Sequence, residues 1–292
     1  MNILITGAAG QLGTEIRTQL REGKSVLGAL PAAYTDAQVF EADVPEVDIT
    51  NPASLRTCFE RARPDIVINC AAYTNVDGCE TDKDAAWAVN ADGPELLAQL
   101  VQEYGAKLVH VSTDYVFEGV GSTPYKETDA PNPQSVYGSS KLAGEQRVAE
   151  QCAHHFIVRT AWLYGTAGKN FVKTITNAAQ AGKELRVVDD QVGCPTNATD
   201  LAHQLLLLAV TDSYGTYHCV NAGQCSWFEF ATQIVANAGI DALVNPCSSA
   251  EYPTPARRPV YSVLDCTKIE AVTNESMRTW FDALDDYCHS TR

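Results

Sequence analysis

Short apolar, β-branched runs alternate along this chain with longer segments whose apolar positions recur every three to four residues. Residues 2–6, 38–43 and 65–70 show the first pattern, and segments of the second follow them at 11–21, 52–61 and 85–104. The series continues with a run at 107–112, a helical stretch at 135–152 and a run at 156–160. Near-continuous apolar strands are those buried on both faces, and parallel strands need crossovers, which the amphipathic segments supply as helices. The expected fold class is therefore α/β, a Rossmann-type doubly wound parallel sheet with right-handed crossovers.

After Tyr164 the alternation loosens into segments punctuated by Gly, Pro and Asn, as at 189–196 and 253–259. That composition suits a smaller C-terminal substrate-binding lobe that closes over a ligand. The expected division is an NAD(P)-binding Rossmann domain over 1–163 and a mainly substrate-binding lobe over 164–292. It is discontinuous, because within 190–221 the strand-like run 215–220 is expected to return to the main sheet.

Composition narrows the partners. The chain has 292 residues, 45% hydrophobic and 20% charged, which provides for a sizeable core and excludes disordered and collagen-like classes. A formal net charge of -15 repels nucleic acid and anionic membrane surfaces, so neither is an expected partner, and any anionic ligand must be held by local groups. No stretch approaches the roughly 20 apolar residues of a membrane span, and the run after Met1 is too short and uncharged for a signal peptide. The 10 cysteines contain no Cys-x-x-Cys pair, which excludes zinc-ribbon and thioredoxin readings. They read as reduced, mostly core residues of a cytoplasmic protein.

The first strand runs into Gly7-Ala8-Ala9-Gly10-Gln11-Leu12-Gly13, immediately before a helix. Glycines there permit a tight turn and close backbone approach, and the helix N-terminus offers unpaired N–H groups to a diphosphate. Its place after an N-terminal strand makes this a dinucleotide-binding loop rather than a plain turn. Asp43, closing the second strand after a long 22–37 connection, is the candidate for the adenosine ribose; the alternative is a surface loop acid.

The chemistry centres on Tyr137-Gly-Ser-Ser-Lys141, preceded by Thr113 at the end of the fourth apolar run. Residues at i and i+4 share a helix face, so the ammonium is expected near the phenol. Unit charges about 4 Å apart interact by about 4 kcal/mol at an effective dielectric of about 20, enough to lower a phenol pKa by up to roughly 3 units before desolvation takes some back. Tyr137 would then be a general acid near neutral pH.

Together these elements resemble the extended short-chain dehydrogenase/reductase superfamily. Asn69-Cys-Ala-Ala-Tyr-Thr-Asn-Val-Asp77, Val111-Ser-Thr-Asp-Tyr-Val-Phe117, Arg159-Thr-Ala-Trp-Leu-Tyr164, Asp190-Gln-Val-Gly-Cys-Pro-Thr196 and Arg258-Pro-Val-Tyr-Ser262 resemble one branch of it, the dTDP-4-dehydrorhamnose reductases. The resemblance spans almost the whole chain. It implies reduction of dTDP-4-dehydro-L-rhamnose to dTDP-L-rhamnose for cell-surface polysaccharide, with NADH or NADPH as donor. Thr113, Tyr137 and Lys141 would be the catalytic set: Tyr137 protonates the keto oxygen, Thr113 hydrogen-bonds it, and Lys141 also holds the nicotinamide ribose. The resemblance further places Gly10, Gln11, Leu12, Asp48, Ile49, Ala72, Tyr73 and Thr74 along the cofactor, and Thr113, Asp114 and Trp162 against the substrate. Trp162 is alternatively a core aromatic.

Arg258 is the candidate clamp for the sugar nucleotide's diphosphate, because a guanidinium makes paired hydrogen bonds to phosphate oxygens; the alternative is a solvated loop arginine. Asp43 would repel a 2′-phosphate, which favours NADH over NADPH. Some members of the family carry Mg2+ at a dimer interface; Glu15 lies in the matching helix, but no partner ligands are evident and a solvated acid is expected there. The expected assembly is a monomer or homodimer. A nucleotide-sugar 4,6-dehydratase is disfavoured because Tyr115 stands where its glutamate base belongs. A 4-epimerase, and a non-catalytic subunit like the regulatory subunit of methionine adenosyltransferase, remain alternatives.

Overall fold

The computed structural model describes residues 1–290. Its first half runs β1 (Asn2–Thr6), α1 (Gln11–Glu22), β2 (Gln38–Ala42), α2 (Pro52–Ala62) and β3 (Ile66–Asn69). After α3 (Val76–Thr81), the single helix expected over 85–104 is divided among the end of α4 (Lys83–Trp87), a π-helical turn at Ala88–Asp92 and α5 (Gly93–Tyr104). The apolar period survives this interruption, which is why the sequence reads as one helix. β4 (Lys107–Thr113), α6 (Val136–Gln151) and β5 (His155–Thr160) follow. The remainder comprises β6 (Leu163–Tyr164), α7 (Phe171–Gln180), β7 (Leu185–Val188), β8 (Val192–Gly193), β9 (Thr196–Asn197), α8 (Ala198–Ala209), β10 (Gly215–His218), β11 (Cys225–Ser226), α9 (Trp227–Ala238), β12 (Val244–Cys247), α10 (Thr267–Thr273) and α11 (Trp280–Ser290).

Six strands form one parallel sheet in the order β10-β5-β4-β3-β1-β2. Side chains of β1 show why both faces must be covered. Ile3 and Ile5 pack with Ile16 of α1 and Leu201 and Leu205 of α8, while Leu4 points the other way to Leu55 of α2 and Leu97 of α5. Each such fully buried side chain stabilises the fold by about 1.5–3 kcal/mol. Although α8 and β10 come from the second half of the chain, they complete this layer, and β10 pairs in parallel with β5. The long connection after α1 lies against α8, where the Tyr34 hydroxyl donates to the Leu206 carbonyl at 2.7 Å.

Short two-stranded pairs, β6 with β9, β7 with β12 and β8 with β11, frame the rest. A separate core unites Tyr164, Ile175 of α7, Phe230 and Ile234 of α9, and Leu284 and Tyr287 of α11. Local signals set the helix starts: Ser135 caps α6 by accepting from Gly138 N, and Ser226 and Glu229 form a reciprocal capping box on α9. No helix among the described residues is long and apolar enough to cross a membrane.

Candidate active site

A cleft of about 810 Å³ opens at the carboxyl ends of the sheet strands, where ligands of open α/β sheets bind. Gly7, Gly10, Gln11, Leu12, Gly13, Asp43, Asp48, Ile49, Ala72, Tyr73, Thr74, Thr113, Asp114, Tyr137, Lys141 and Trp162 all line it. Arg258 alone among the sequence-derived candidates does not.

At one end the chain turns at Gly7, whose φ is 66°, and a Cβ there would lie 2.7 Å from Ala71 N. No side chain caps the N-terminus of α1, so its first-turn N–H groups face the cleft for an anion. These features fit a dinucleotide diphosphate. Beside them the Asp43 carboxylate accepts from Ala9 N at 2.9 Å, which ties the end of β2 to the loop. Asp48 accepts from both the backbone and the hydroxyl of Thr50. Tyr73 is fixed by Asn90 of the π turn, which accepts from its N–H at 2.8 Å and donates to its carbonyl at 3.2 Å. The same amide donates to Ser140 of α6, so the π turn locks the loop at Tyr73 to the helix that carries Tyr137 and Lys141. Sequence periodicity did not disclose Asn90.

Two backbone contacts seat α6. A Cβ on Gly138 would lie 2.2 Å from the Tyr115 carbonyl oxygen, and one on Gly144 would lie 2.1 Å from that of Asn90. Tyr137 and Lys141 therefore face the end of β4. Lys141 Nζ donates to the Val111 carbonyl at 2.6 Å, which seats the ammonium at the end of β4. Burial pushes the Tyr137 phenol above its ordinary value, and the Thr113 hydrogen bond only opposes this. The i, i+4 spacing put both groups on one face, but the lysine stem carries its ammonium to the strand beneath. Burial lowers Lys141 to about 8. The resulting phenol is a reservoir acid, protonated throughout the physiological range.

The Thr113 hydroxyl donates to the Asp114 carboxylate at 2.9 Å. Burial, opposed by hydrogen bonds including that of Thr113, raises Asp114 to about 6. The folded chain thus binds this proton more tightly than the unfolded chain does, and stability falls as pH rises from about 4 to about 6. Asp114→Asn should therefore raise the Tm at pH 8, by up to roughly 3 kcal/mol of stability, and confer no advantage below pH 4. Thermal melts at both pH values check this; equal shifts would mean a packing effect.

Trp162 forms the opposite wall, stacked on Trp227 with ring centroids 3.5 Å apart. Its φ of 48° is a left-handed conformation that a bulky residue rarely adopts, as at constrained functional positions. Arg258 lies behind the cleft, donating to Asp77 at 2.8 Å and to the Tyr115 hydroxyl at 3.0 Å, while Asp77 also accepts from Ala256 N. Tyr115 in turn packs edge-on against Tyr137 at 5.4 Å. Arg258, 28% exposed, is thus paired rather than free and does not line the cleft; it braces the ring beside Tyr137.

Glu15 corrects a second expectation. It is 8% exposed, not solvated, and accepts from the hydroxyls of Thr166 at 2.8 Å and Thr199 at 3.1 Å. Segments more than 150 residues away bury it, which helix periodicity does not show. Among the described residues no group of three or more His, Cys, Asp or Glu side chains is arranged to hold a metal ion.

A glycine loop that opens a helix at the switch point of a parallel sheet, facing a Tyr and Lys one helical turn apart, is the arrangement of an extended short-chain dehydrogenase/reductase. Comparison with known proteins narrows this further. The family model described as the RmlD substrate binding domain matches residues 1–292. The Bacillus subtilis spore coat polysaccharide biosynthesis protein SpsK is 40% identical, over 98% of this chain and 96% of its own. The structure of a dTDP-4-dehydrorhamnose reductase from Clostridium acetobutylicum superposes with a TM-score of 0.92 at 44% identity, covering 100% of this chain and 99% of that one. That of Bacillus anthracis dTDP-4-dehydrorhamnose reductase, in complex with NADP, also gives 0.92, at 40% identity over 99% and 98% of the two chains. The chain belongs to the dTDP-4-dehydrorhamnose reductase family.

Proposed function

We propose that this protein reduces dTDP-4-dehydro-L-rhamnose to dTDP-L-rhamnose at the expense of NAD(P)H. The convergence of Thr113, Tyr137 and Lys141 on the same cleft as the glycine loop, in a chain matched from end to end by this family, carries the reading. The nicotinamide supplies the hydride when bound. Tyr137 gives its phenolic proton to the C4 oxygen as charge develops there; the Thr113 hydroxyl, which donates to Asp114 without substrate, would turn to donate to that oxygen. Lys141 holds the nicotinamide ribose, and Trp162 walls the sugar. Arg258 keeps the Tyr115 ring against Tyr137, and its reach to the substrate diphosphate requires release from Asp77. The test is nicotinamide absorbance with a panel of nucleotide 4-keto-6-deoxysugars. Stoichiometric cofactor oxidation with the dTDP-4-dehydrorhamnose member is expected; epimer exchange with retained cofactor, or no oxidation with any member, would overturn the assignment.

NADH is the proposed preference. Asp43 follows β2, lines the cleft and would present its carboxylate to the adenosine ribose. A 2′-phosphate in contact with it would be repelled by up to about 4 kcal/mol, less in a wet site. Asp43→Ala should lower kcat/KM for both cofactors by loosening the glycine loop, yet reduce the NADH-to-NADPH ratio by about tenfold. An unchanged ratio removes Asp43 from ribose recognition.

A further inference from the structure

With Arg258 committed to Asp77 and Tyr115, the cleft's cations among the described residues are the buried Lys141 and the exposed Lys169. Lys169 sits on a loop that is built rather than loose. Asn170 donates to Gln11 Oε1 at 3.0 Å and to the Gly165 carbonyl at 2.8 Å. Lys173 Nζ donates to the carbonyls of Thr166 and Gly168, at 2.6 and 3.0 Å, so that second lysine is consumed in shaping the loop. The Thr166 hydroxyl is tied to Glu15. A Cβ on Gly168 would lie 3.4 Å from Gln11 Cγ, which sets the loop directly against the glycine loop. Lys169 itself makes no hydrogen bond or ion pair among the described residues.

A loop carrying an unpaired lysine is thereby anchored beside the positive end of α1, in a chain of net charge -15 that has many carboxylates to offer it. Two positive ends facing one cleft are mutually unfavourable until an anion lies between them. We propose that Lys169 binds the cofactor's diphosphate, reaching it from the second lobe across the cleft from the glycine loop. This rests on the dinucleotide reading above and adds a residue to it. The cofactor diphosphate then bridges the two lobes through α1 on one side and Lys169 on the other.

The same chemistry exists in the sugar nucleotide, so the experiment separates the two sources without turnover. Equilibrium binding of NADH, followed by its fluorescence, and of dTDP, followed by calorimetry, is measured for wild type, Lys169→Ala, Lys169→Arg and Lys169→Glu. Lys169→Ala should weaken NADH by about tenfold at low ionic strength and flatten its salt dependence. Lys169→Glu should weaken it further, Lys169→Arg should stay within about threefold of wild type, and dTDP affinity should not change. Unchanged NADH binding in Lys169→Ala overturns the proposal. Loss confined to dTDP moves the ammonium to the sugar nucleotide, and equal loss of both ligands marks a structural loop residue. A wild type that fails to bind NADH at all would instead refute the dinucleotide reading itself.

Discussion

Tyr137→Phe is expected to lower kcat by about 10²- to 10⁴-fold while leaving folding and NADH binding intact. The substitution deletes the proton donor and keeps the ring that packs against Tyr115. The structure sharpens the pH expectation. Because burial raises the phenol, the alkaline limb at which Tyr137 loses its proton should not appear near neutrality. Single-turnover measurement of nicotinamide oxidation, with a confirmed keto-sugar and hydride transfer limiting, checks the rate. Near-wild-type turnover under those conditions would falsify the mechanism.

Lys141→Met should be as damaging and differ in kind. It removes the cation proposed to hold the nicotinamide ribose, so both NADH affinity and turnover should fall, the latter by at least about 10²-fold. In the wild type, kcat/KM should decline as pH rises past about 8, where Lys141 loses its proton, and Lys141→Met should lack this limb. The stability effect has the opposite sign. Lys141 is 2% exposed, and its proton is held less tightly in the folded chain than in the unfolded one. At pH 7 the buried charge therefore costs stability, roughly 3 kcal/mol at most, and the cost fades as pH rises from about 8 past 10. A variant that melts higher at pH 7 yet barely turns over would show stability given up for function. Lower melting at pH 7 would mean that the contact with Val111 outweighs desolvation.

Patterns carried by neighbouring residues were legible in the sequence. The β1 run, with Ile3, Leu4 and Ile5 all fully buried, can satisfy both faces only inside a covered parallel sheet. The glycine loop and the Tyr137 and Lys141 pair are likewise local, and their positions relative to strand ends gave them meaning. Contacts across long stretches of chain were not legible. Glu15 meets Thr166 and Thr199, and Asp77 meets Arg258, only because the second half of the chain folds back on the first. The π turn escaped for another reason: one added residue leaves the apolar stripe of the surrounding helices continuous while turning Asn90 inward to Tyr73. The direction of the Lys141 side chain depends on χ angles, about which residue spacing is silent.

The seating of α6 on two carbonyl oxygens limits how this scaffold can be reshaped. Side-chain interfaces adjust by rotamer changes, so they tolerate gradual variation in volume. At Gly138 and Gly144 the opposing atoms belong to the main chain, and even one added methyl must push the helix bodily off Tyr115 and Asn90. Tyr137 and Lys141 would travel with it. Libraries built to change the sugar accepted by this enzyme should therefore diversify the wall formed by Trp162 and Trp227. The small-residue face of α6 acts as the datum from which the reactive groups are measured.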